Sequence, residues 1–363
     1  MKQKISTGGM ILFVLLVINS FQLKAQNELV EFIKGGIGDG EKLIQAYLEP
    51  LGNGMGANLT GGWYNTAKVH STLGFDITFT ITAAMAPESA TSFDIAKLDL
   101  QTLVLQEGES SFAPTFAGET DRGPALMFFK EGVDLPLAQF NTPGGVDVPF
   151  YPMPMIKAGI GLPKGFEING RFVPKISYED LSASLWGIGL KYDVLQHFGL
   201  IDRVPFLNAS IIGAYTKLNF GSDLDFQKSI YGTEIGGNPI EGGQAVYEDQ
   251  KLDINMSGFT TAALVSYDLP VITLFGGLGY SKSTTNVDLL GDYPLIGADV
   301  NNADDIRIFI EDITDPIALE FVNHSGLQLT GGLRIKLAVI TLHASYTRAN
   351  YNLLTAGLGV SVR

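Results

Sequence analysis

The last part of the chain alternates strictly between apolar and polar residues, and this pattern limits the folds open to it. Leu354 and Leu358 lie on one face of the final run, and Thr355 lies on the other. Residues 327–337 and 340–347 alternate in the same way. A period of two indicates strands with one apolar and one polar face, as in a soluble antiparallel sheet or a membrane barrel. The polar face is rich in Gly, Thr and Ser, which favours a barrel with a lipid-facing and a lumen-facing side.

The two faces of this final strand predict how the barrel responds to charge. We expect a charged residue at Leu358 to block assembly and one at Thr355 to be tolerated, because lipid excludes charge and a polar lumen does not. A closed barrel leaves no free edge. The last strand is therefore expected to pair with the first strand, near residues Leu59 to Ala67.

Composition narrows the class further. Hydrophobic residues make up 45% of the 363 residues, yet no long apolar run follows the N-terminal segment. This excludes a helical membrane protein and leaves a barrel, in which alternation spreads the apolar residues. The 43 glycines suit bends and crowded lumen positions in barrel strands. The predicted fold is all-β: a transmembrane antiparallel β-barrel of about 12–14 strands with a short N-terminal helical segment.

The N-terminus has the pattern of a secretory signal. Lys2 and Lys4 precede an apolar core from Met10 to Ile18, and Ala25 offers a cleavage site. A retained membrane anchor is the alternative, although the core is short for a membrane span. The chain has no cysteine, which excludes a lipoprotein anchor and a disulfide framework. The expected location is the outer membrane of a Gram-negative cell, after cleavage near Ala25.

The predicted domains are the signal peptide at residues 1–25, a helical segment at 26–56 and the barrel at 57–363. Two interpretations of the helical segment stay open: a helix lying against the barrel base, or a hatch inserted into the lumen as a plug.

Connection lengths indicate an outer-membrane orientation. Short turns at Pro87, Pro163, Leu269 and Lys336 are expected on the periplasmic side. Long loops are expected on the outer side, and they span 106–153, 221–243 and 291–316.

The loop at 106–153 is too apolar to be freely solvated, so we expect it to fold over or into the barrel mouth. A hairpin that extends the wall is the alternative. Candidate contacts for a hydrophobic ligand come from this loop above and from the N-terminal segment below: Phe128, Phe129, Leu137, Phe140, Phe150 and Tyr151, with Leu43, Ile44 and Tyr47.

Alternation also predicts which charged side chains face the lumen. These residues are Asp76, Lys157, Glu167, Arg171, Lys191, Lys217, Asp253, Lys282, Arg334, Lys336 and His343. One interpretation is a mutually neutralised polar interior, because confined charges are usually paired. The other is a selective channel or a polar track around a plug.

The sequence offers no sign of catalysis, so the chain is not expected to be an enzyme. It has four histidines, and no Gly-x-Ser-x-Gly elbow frames a serine. The acidic loop 291–316 does not match the spacing of an EF-hand, so no metal site is expected there or elsewhere. No cofactor is predicted. The acidic balance, with a formal net charge of −14, excludes nucleic acid as a partner.

Two short stretches resemble known barrel families. Residues 355–362, Thr-Ala-Gly-Leu-Gly-Val-Ser-Val, resemble the signal read by the barrel-assembly machinery, with Arg363 in place of the usual final aromatic residue. The Gly-rich link 52–56 followed by Trp-Tyr-Asn-Thr-Ala at 63–67 is similar to the long-chain fatty-acid and aromatic-hydrocarbon transporter barrels, with Thr66 in place of a proline. The layout also looks like an uncharacterised family of secreted barrels within that broader group.

The transporter resemblance implies that the N-terminal segment folds into the lumen as a hatch. It also implies passive uptake of a hydrophobic small molecule through a gated lumen. The expected partners are outer-membrane lipid, the barrel-assembly machinery and such a molecule. Two alternatives stay open: a structural or adhesive barrel without transport, and a general porin.

Overall fold

A computed structural model describes residues 29–148, 150–198, 204–302 and 305–362. The predicted signal peptide and its cleavage site therefore lie outside the described residues. The long helix is α1, Ile37–Thr60. Short 3-10 segments are found at Val30–Gly35, Glu88–Ala90, Ile95–Lys97, Pro163–Gly165, Leu195–His197 and Lys228–Tyr231. In chain order the strands are β1 Phe75–Met85, β2 Ser92–Asp94, β3 Leu103–Leu105, β4 Phe112–Pro114, β5 Ala125–Phe128, β6 Ala138–Asn141, β7 Phe150–Leu162, β8 Phe166–Tyr178, β9 Leu181–Asp193, β10 Leu207–Asp223, β11 Glu234–Ile235, β12 Asn238–Gly242, β13 Lys251–Asp268, β14 Ile272–Leu290, β15 Asp292–Asn302, β16 Asp305–Thr314, β17 Ile317–Leu337, β18 Ile340–Arg348 and β19 Asn352–Val362.

Ten of these strands form a closed barrel, in the order β1-β19-β18-β17-β14-β13-β10-β9-β8-β7. The predicted fold class, an antiparallel barrel with a short N-terminal helix, is confirmed. The predicted strand number of about 12–14 is too high. The surplus strands pair with one another outside the wall, as β11-β12-β16-β15, as β3-β5-β6 and as β2-β4.

The two faces of the final strand are as predicted. Leu354 and Leu358 point outward and are exposed, whereas Thr355 is buried inside. This strand closes the barrel against β1, with Leu358 opposite Phe79. The predicted closing partner, near Leu59 to Ala67, is wrong. Those residues end α1 and continue as an irregular segment, residues 61–74, which we call the lumen segment.

The connections sort into two ends of the barrel. The short-turn end carries the connections 163–165, 269–271 and 338–339 and the one between β9 and β10. The long-loop end carries 86–149, 224–250 and 291–316, together with two tight turns at 179–180 and 349–351. Pro87 was expected in a short periplasmic turn, but it begins the longest connection, because β1 runs from the short-turn end to the long-loop end.

Helix α1 lies inside the barrel, where it contacts strands β1, β7, β10, β13, β14, β17 and β19. Its first turn is held at the long-loop end, where Asp39 accepts a hydrogen bond from the backbone of Thr102. The lumen segment reaches the short-turn end, where His70 meets Glu167. The chain therefore passes through the whole lumen before it enters the wall at Phe75. Among the described residues, no helix combines the length and the apolar character needed to cross a membrane.

Small residues let α1 approach the wall closely. A side-chain carbon added at Gly56 would stand 2.8 Å from Cβ of Ser283, and one at Gly52 would stand 3.1 Å from the Phe321 ring. The same helix contains Pro50. Glycine and proline are poor helix formers, so packing inside the barrel, and not intrinsic propensity, stabilises this helix.

Candidate functional site

The lumen is divided into an apolar half and a polar half. In the half nearest the long loops, the inward-facing wall residues are apolar and buried. These residues are Tyr151, Met153, Met155, Leu185, Leu218, Leu252, Ile254, Met256, Val287, Leu289, Phe321 and Leu353. They form one hydrophobic core with α1 and with the long connection 86–149. Alternation alone predicted a polar lumen throughout.

Most of the candidate ligand contacts lie in this core. Phe128, Leu137, Phe140, Tyr151, Leu43, Ile44 and Tyr47 are all buried in it. Aromatic rings join α1 and the 3-10 segment before it to the loop. The centroids are 6.1 Å apart for Tyr47 of α1 and Phe116, and 6.3 Å apart for Phe32 of the 3-10 segment and Phe140. The expectation that the helix residues lie below the loop residues is wrong, because both sets meet at the long-loop end.

Two of the predicted ligand contacts, Phe129 and Phe150, lie outside this core. Phe129 is half-buried at the edge of the loop. Phe150 is 49% exposed and points outward, since it is the first residue of β7 and its neighbour Tyr151 takes the inward position. Phe150 therefore belongs to the outer surface of the wall and not to the core around α1.

Asp39 fastens α1 to the long-loop end. Its carboxylate accepts hydrogen bonds from the backbone N–H groups of Gln101, Thr102 and Leu103 at 2.9, 2.7 and 3.0 Å. The Thr102 hydroxyl donates a fourth, at 2.9 Å. Burial alone would raise the pKa of Asp39, but these hydrogen bonds outweigh it and hold the pKa below its ordinary value.

The C-terminus of α1 is held by side chains of the wall. Arg171 donates hydrogen bonds to the carbonyls of Leu59, at 3.3 Å, and Gly61. Thr216 donates to the same Leu59 carbonyl at 2.9 Å. These are the carbonyls that a helix end leaves without intrahelical partners, and the helix dipole favours a cation beside them. The guanidinium of Arg171 also lies over the ring of Trp63, 3.8 Å from its centroid.

A charged cluster surrounds the end of the lumen segment. Glu167 accepts hydrogen bonds from the backbone N–H and from Nδ1 of His70, at 2.9 and 2.7 Å. Lys191 Nζ lies 2.8 Å from the other oxygen of Glu167 and donates to the carbonyl of Lys68 at 3.2 Å. Nearby, Lys157 donates to the carbonyl of Trp63 at 3.2 Å. The wall charges thus bind the backbone of the segment that fills the lumen.

The structure places most of the predicted lumen charges inside. The buried, inward-facing members are Asp76, Lys157, Glu167, Arg171, Lys191, Arg334 and His343. Lys336 is half-buried on the same inward face, opposite Thr341. His343 lies 3.5 Å from the side-chain nitrogen of Asn65 in the lumen segment.

Asp253 was predicted to face the lumen, and this prediction is wrong. The residue faces outward and pairs with Lys251 at 2.7 Å. Lys217 and Lys282 also lie on the outer side of their strands. Near the long-loop end the inner face is apolar and the outer face carries polar groups, so the polarity that marks the lumen elsewhere is reversed there. Leu252 and Ile254, on either side of Asp253, fill the inner positions.

Sequence reasoning missed the contribution of the lumen segment itself. A second small core joins the lumen segment to inward-facing wall residues. It contains Trp63, Tyr64 and Ala67 of the segment and, among others, Leu264 and Phe275 of the wall. His70 contacts three barrel strands, yet it lies in a stretch without periodicity. The one available signal was the density of polar and aromatic residues at 63–70, which fits neither a strand nor a solvated linker.

A family model described as "Family of unknown function (DUF6588)" matches residues 1–362 of the chain. None of the curated proteins matches. Among solved structures, the chain is similar to the outer membrane protease OmpT from Escherichia coli, with 9% identity, a TM-score of 0.31 and coverage of 80% of this chain and 96% of that one. It is also similar to the translocator domain of the autotransporter NalP from Neisseria meningitidis, with 11% identity, a TM-score of 0.26 and coverage of 81% and 89%. For the P. putida toluene transporter TodX the identity is 12%, the TM-score 0.23 and the coverage 87% and 76%.

Proposed function

The chain belongs to this family of unknown function, and we propose that its barrel takes up a hydrophobic small molecule across the outer membrane through a lumen that α1 closes at rest. The main support for this proposal is the apolar lining of the half of the lumen nearest the long loops. A water-filled porin needs a polar interior. Here the inward face carries Met153, Met155, Leu218 and Met256, which suit an apolar guest once the helix is displaced.

The helix has the composition of a movable element. It contains Pro50 and the glycines at 52, 54 and 56, and each glycine costs roughly 1 kcal/mol of helix propensity relative to alanine. Its stability therefore comes from the wall and the loops that surround it. A ligand that takes over some of these apolar contacts would compensate for the loss of helix packing, and binding would shift the equilibrium towards an open state.

A disulfide lock tests this proposal. The chain has no cysteine, so a pair introduced at Gly56 and Ser283 is the only pair that can form. The two Cβ positions are 2.8 Å apart, and a disulfide needs about 3.8 Å, so a shift of about 1 Å suffices. We expect liposomes containing the oxidised double variant Gly56→Cys/Ser283→Cys to lose uptake of fluorescent fatty acids and monoaromatic hydrocarbons. Reductant should restore it.

The two single-cysteine variants are the matched controls, and their uptake should not respond to oxidation. Equal flux in the oxidised and reduced double variant would overturn the proposed movement of α1. Deletion of residues 37–60 is a further test. If α1 closes the path, the deletion should speed uptake. Resistance of the variant barrel to SDS at room temperature shows that it is still folded.

A second candidate is a structural or adhesive barrel in which the same apolar lining is a permanent core. The anchorage of Asp39 by three backbone N–H groups of the long connection favours it, because it ties the helix to the loops. This candidate predicts no uptake in either redox state. In that outcome the outer sheet β11-β12-β16-β15 becomes the surface to test for a partner.

A further inference from the structure

We propose that His70, Asp76 and Asn169 form a binding site for a divalent transition metal of the zinc class at the short-turn end of the lumen. The proposal does not depend on the uptake function. It departs from the sequence-based expectation of no metal, which rested on the acidic loop 291–316 and not on this part of the chain.

The strand register places the ligands around one glycine. Asp76 on β1 is opposite Gly159 on β7, and Gly159 is opposite Asn169 on β8. Because the central residue has no side chain, the two flanking side chains face the same small space inside the barrel. The point where a Cβ of residue 159 would stand is 2.6 Å from Asp76 Oδ1 and 2.9 Å from Asn169 Oδ1. It is 3.5 Å from Glu167 Oε1.

Asn169 aims an unused acceptor into this space. Its side-chain nitrogen donates to Glu167 Oε1 at 3.1 Å, which sets the orientation of the amide. The residue is 1% exposed, and its Oδ1 has no hydrogen-bond partner among the described residues. A buried acceptor without a partner calls for a water or an ion. A metal ion beside Asp76 would satisfy it.

His70 supplies the nitrogen ligand. Nδ1 donates to Glu167 Oε2 at 2.7 Å, so Nε2 is the nitrogen that faces Asp76 and can bind a metal. Nε2 is 3.8 Å from Asp76 Oδ1 and 3.4 Å from Ser361 Oγ. One zinc ion binds nitrogen and carboxylate oxygen at about 2.0–2.2 Å, so it can bridge a gap of this size. A carboxylate on the distal nitrogen is the usual support for a metal-bound histidine.

Glu167 and Asp76 have different cationic neighbours, and Lys157 is the buried cation that attracts Asp76. Lys191 lies 2.8 Å from Glu167 and neutralises it, so Glu167 orients His70 and does not need a metal. Asp76 has one oxygen bonded to the hydroxyl of Thr78 at 3.1 Å and the other facing His70. Candidate ligand atoms of His70, Asp76 and Glu167 all lie within 4.8 Å of one another. A metal there would tie the lumen segment to the wall.

Metal titration of the full-length barrel in detergent, after treatment with a chelator, tests the proposal. We expect one Co²⁺ per chain, with a visible absorption band that Zn²⁺ abolishes by displacement. His70→Gln and Asp76→Asn should each weaken binding by about tenfold or more. Gly159→Ala keeps every ligand but fills the space between them, and it should weaken binding as well. His197→Gln alters an exposed histidine outside this cluster and should leave the affinity unchanged.

Wild-type protein that binds neither Co²⁺ nor Zn²⁺ saturably would overturn the site. Equal affinity in the wild type and in His70→Gln would also overturn it. Retention of SDS resistance at room temperature reports folding, so the comparison uses folded variants only. If the ligand variants fail to fold, the Gly159→Ala result decides: unchanged affinity there would rule out the space over this glycine as the binding position.

Discussion

Arg171 lies over the ring of Trp63, with 3.8 Å between the guanidinium carbon and the ring centroid. The first residue belongs to the wall and the second to the lumen segment. The same guanidinium donates to the carbonyls of Leu59 and Gly61, so one side chain stacks on the segment and caps the helix that precedes it. This relationship links the wall and the lumen contents into one folding unit.

We expect Arg171→Met to destabilise the barrel by about 2–4 kcal/mol, because it removes a stacked cation and leaves two buried carbonyls with fewer donors. Urea unfolding in lipid vesicles, followed by tryptophan fluorescence, measures the loss. The control is Arg348→Met, which changes an exposed arginine on β18. Equal stability of Arg171→Met and the wild type would contradict the capping role.

Leu358→Arg should block insertion, because the residue points outward on a closing strand and a lipid-facing arginine costs about 2–4 kcal/mol near the bilayer midplane. Phe112→Arg is the matched control. Phe112 is 58% exposed and Leu358 54% exposed, but Phe112 lies in the long connection outside the wall. Membrane fractionation and heat-modifiability on gels measure the outcome, and equal insertion of the two variants would contradict the lipid-facing assignment.

The expected tolerance of a charge at Thr355 needs revision. Thr355 is buried, and a side-chain carbon at Gly62 would stand 3.5 Å from its Cγ2. The lumen at this level is filled by the lumen segment and not by water. Thr355→Glu should therefore lower stability, whereas Thr355→Ser should not, and thermal unfolding of the two variants distinguishes an occupied lumen from an aqueous one.

Sequence reasoning succeeded where one face of a strand meets lipid. It identified the outward positions of the last strand because lipid makes them uniformly apolar. It overestimated the strand number because residues near 59–67 end α1 and continue as the lumen segment, and because the strands at 92–105 and in the long loops pair outside the wall. It misplaced Asp253 because polarity reverses near the long-loop end, where the lumen is apolar. His70 could not be assigned, because its position depends on contacts with β1, β8 and β19 and not on any local pattern.

The docking of the long connection should depend on pH through Asp39. Its folded pKa lies below the ordinary value of about 3.9. The stability that it contributes is therefore present above about pH 4 and is lost as the pH falls through the lowered folded value. At neutral pH, Asp39→Asn should speed proteolysis within residues 86–149, and the difference from the wild type should shrink under acid conditions. Glu107→Gln, an exposed carboxylate in the same connection, should have no effect at either pH.

The path of the chain predicts on which face its N-terminal part emerges. Residues Val30–Gly35 pack against β5, β6 and β15 at the long-loop end. An epitope tag placed after Ala25 should be accessible to antibody on intact cells, as should a tag in the loop at 107–109. A tag in the turn 338–339 should be labelled only after permeabilisation. If the tag after Ala25 and the tag at 338–339 were both labelled on intact cells, or both only after permeabilisation, the threaded path would be contradicted.

The most direct test of the central claim, a barrel closed by its own helix, is conductance in a planar bilayer. We expect the wild-type protein to be silent and the variant lacking residues 37–60 to form steady channels, because the helix and its packing fill the lumen. A wild-type protein with a steady conductance equal to that of the deletion variant would contradict it.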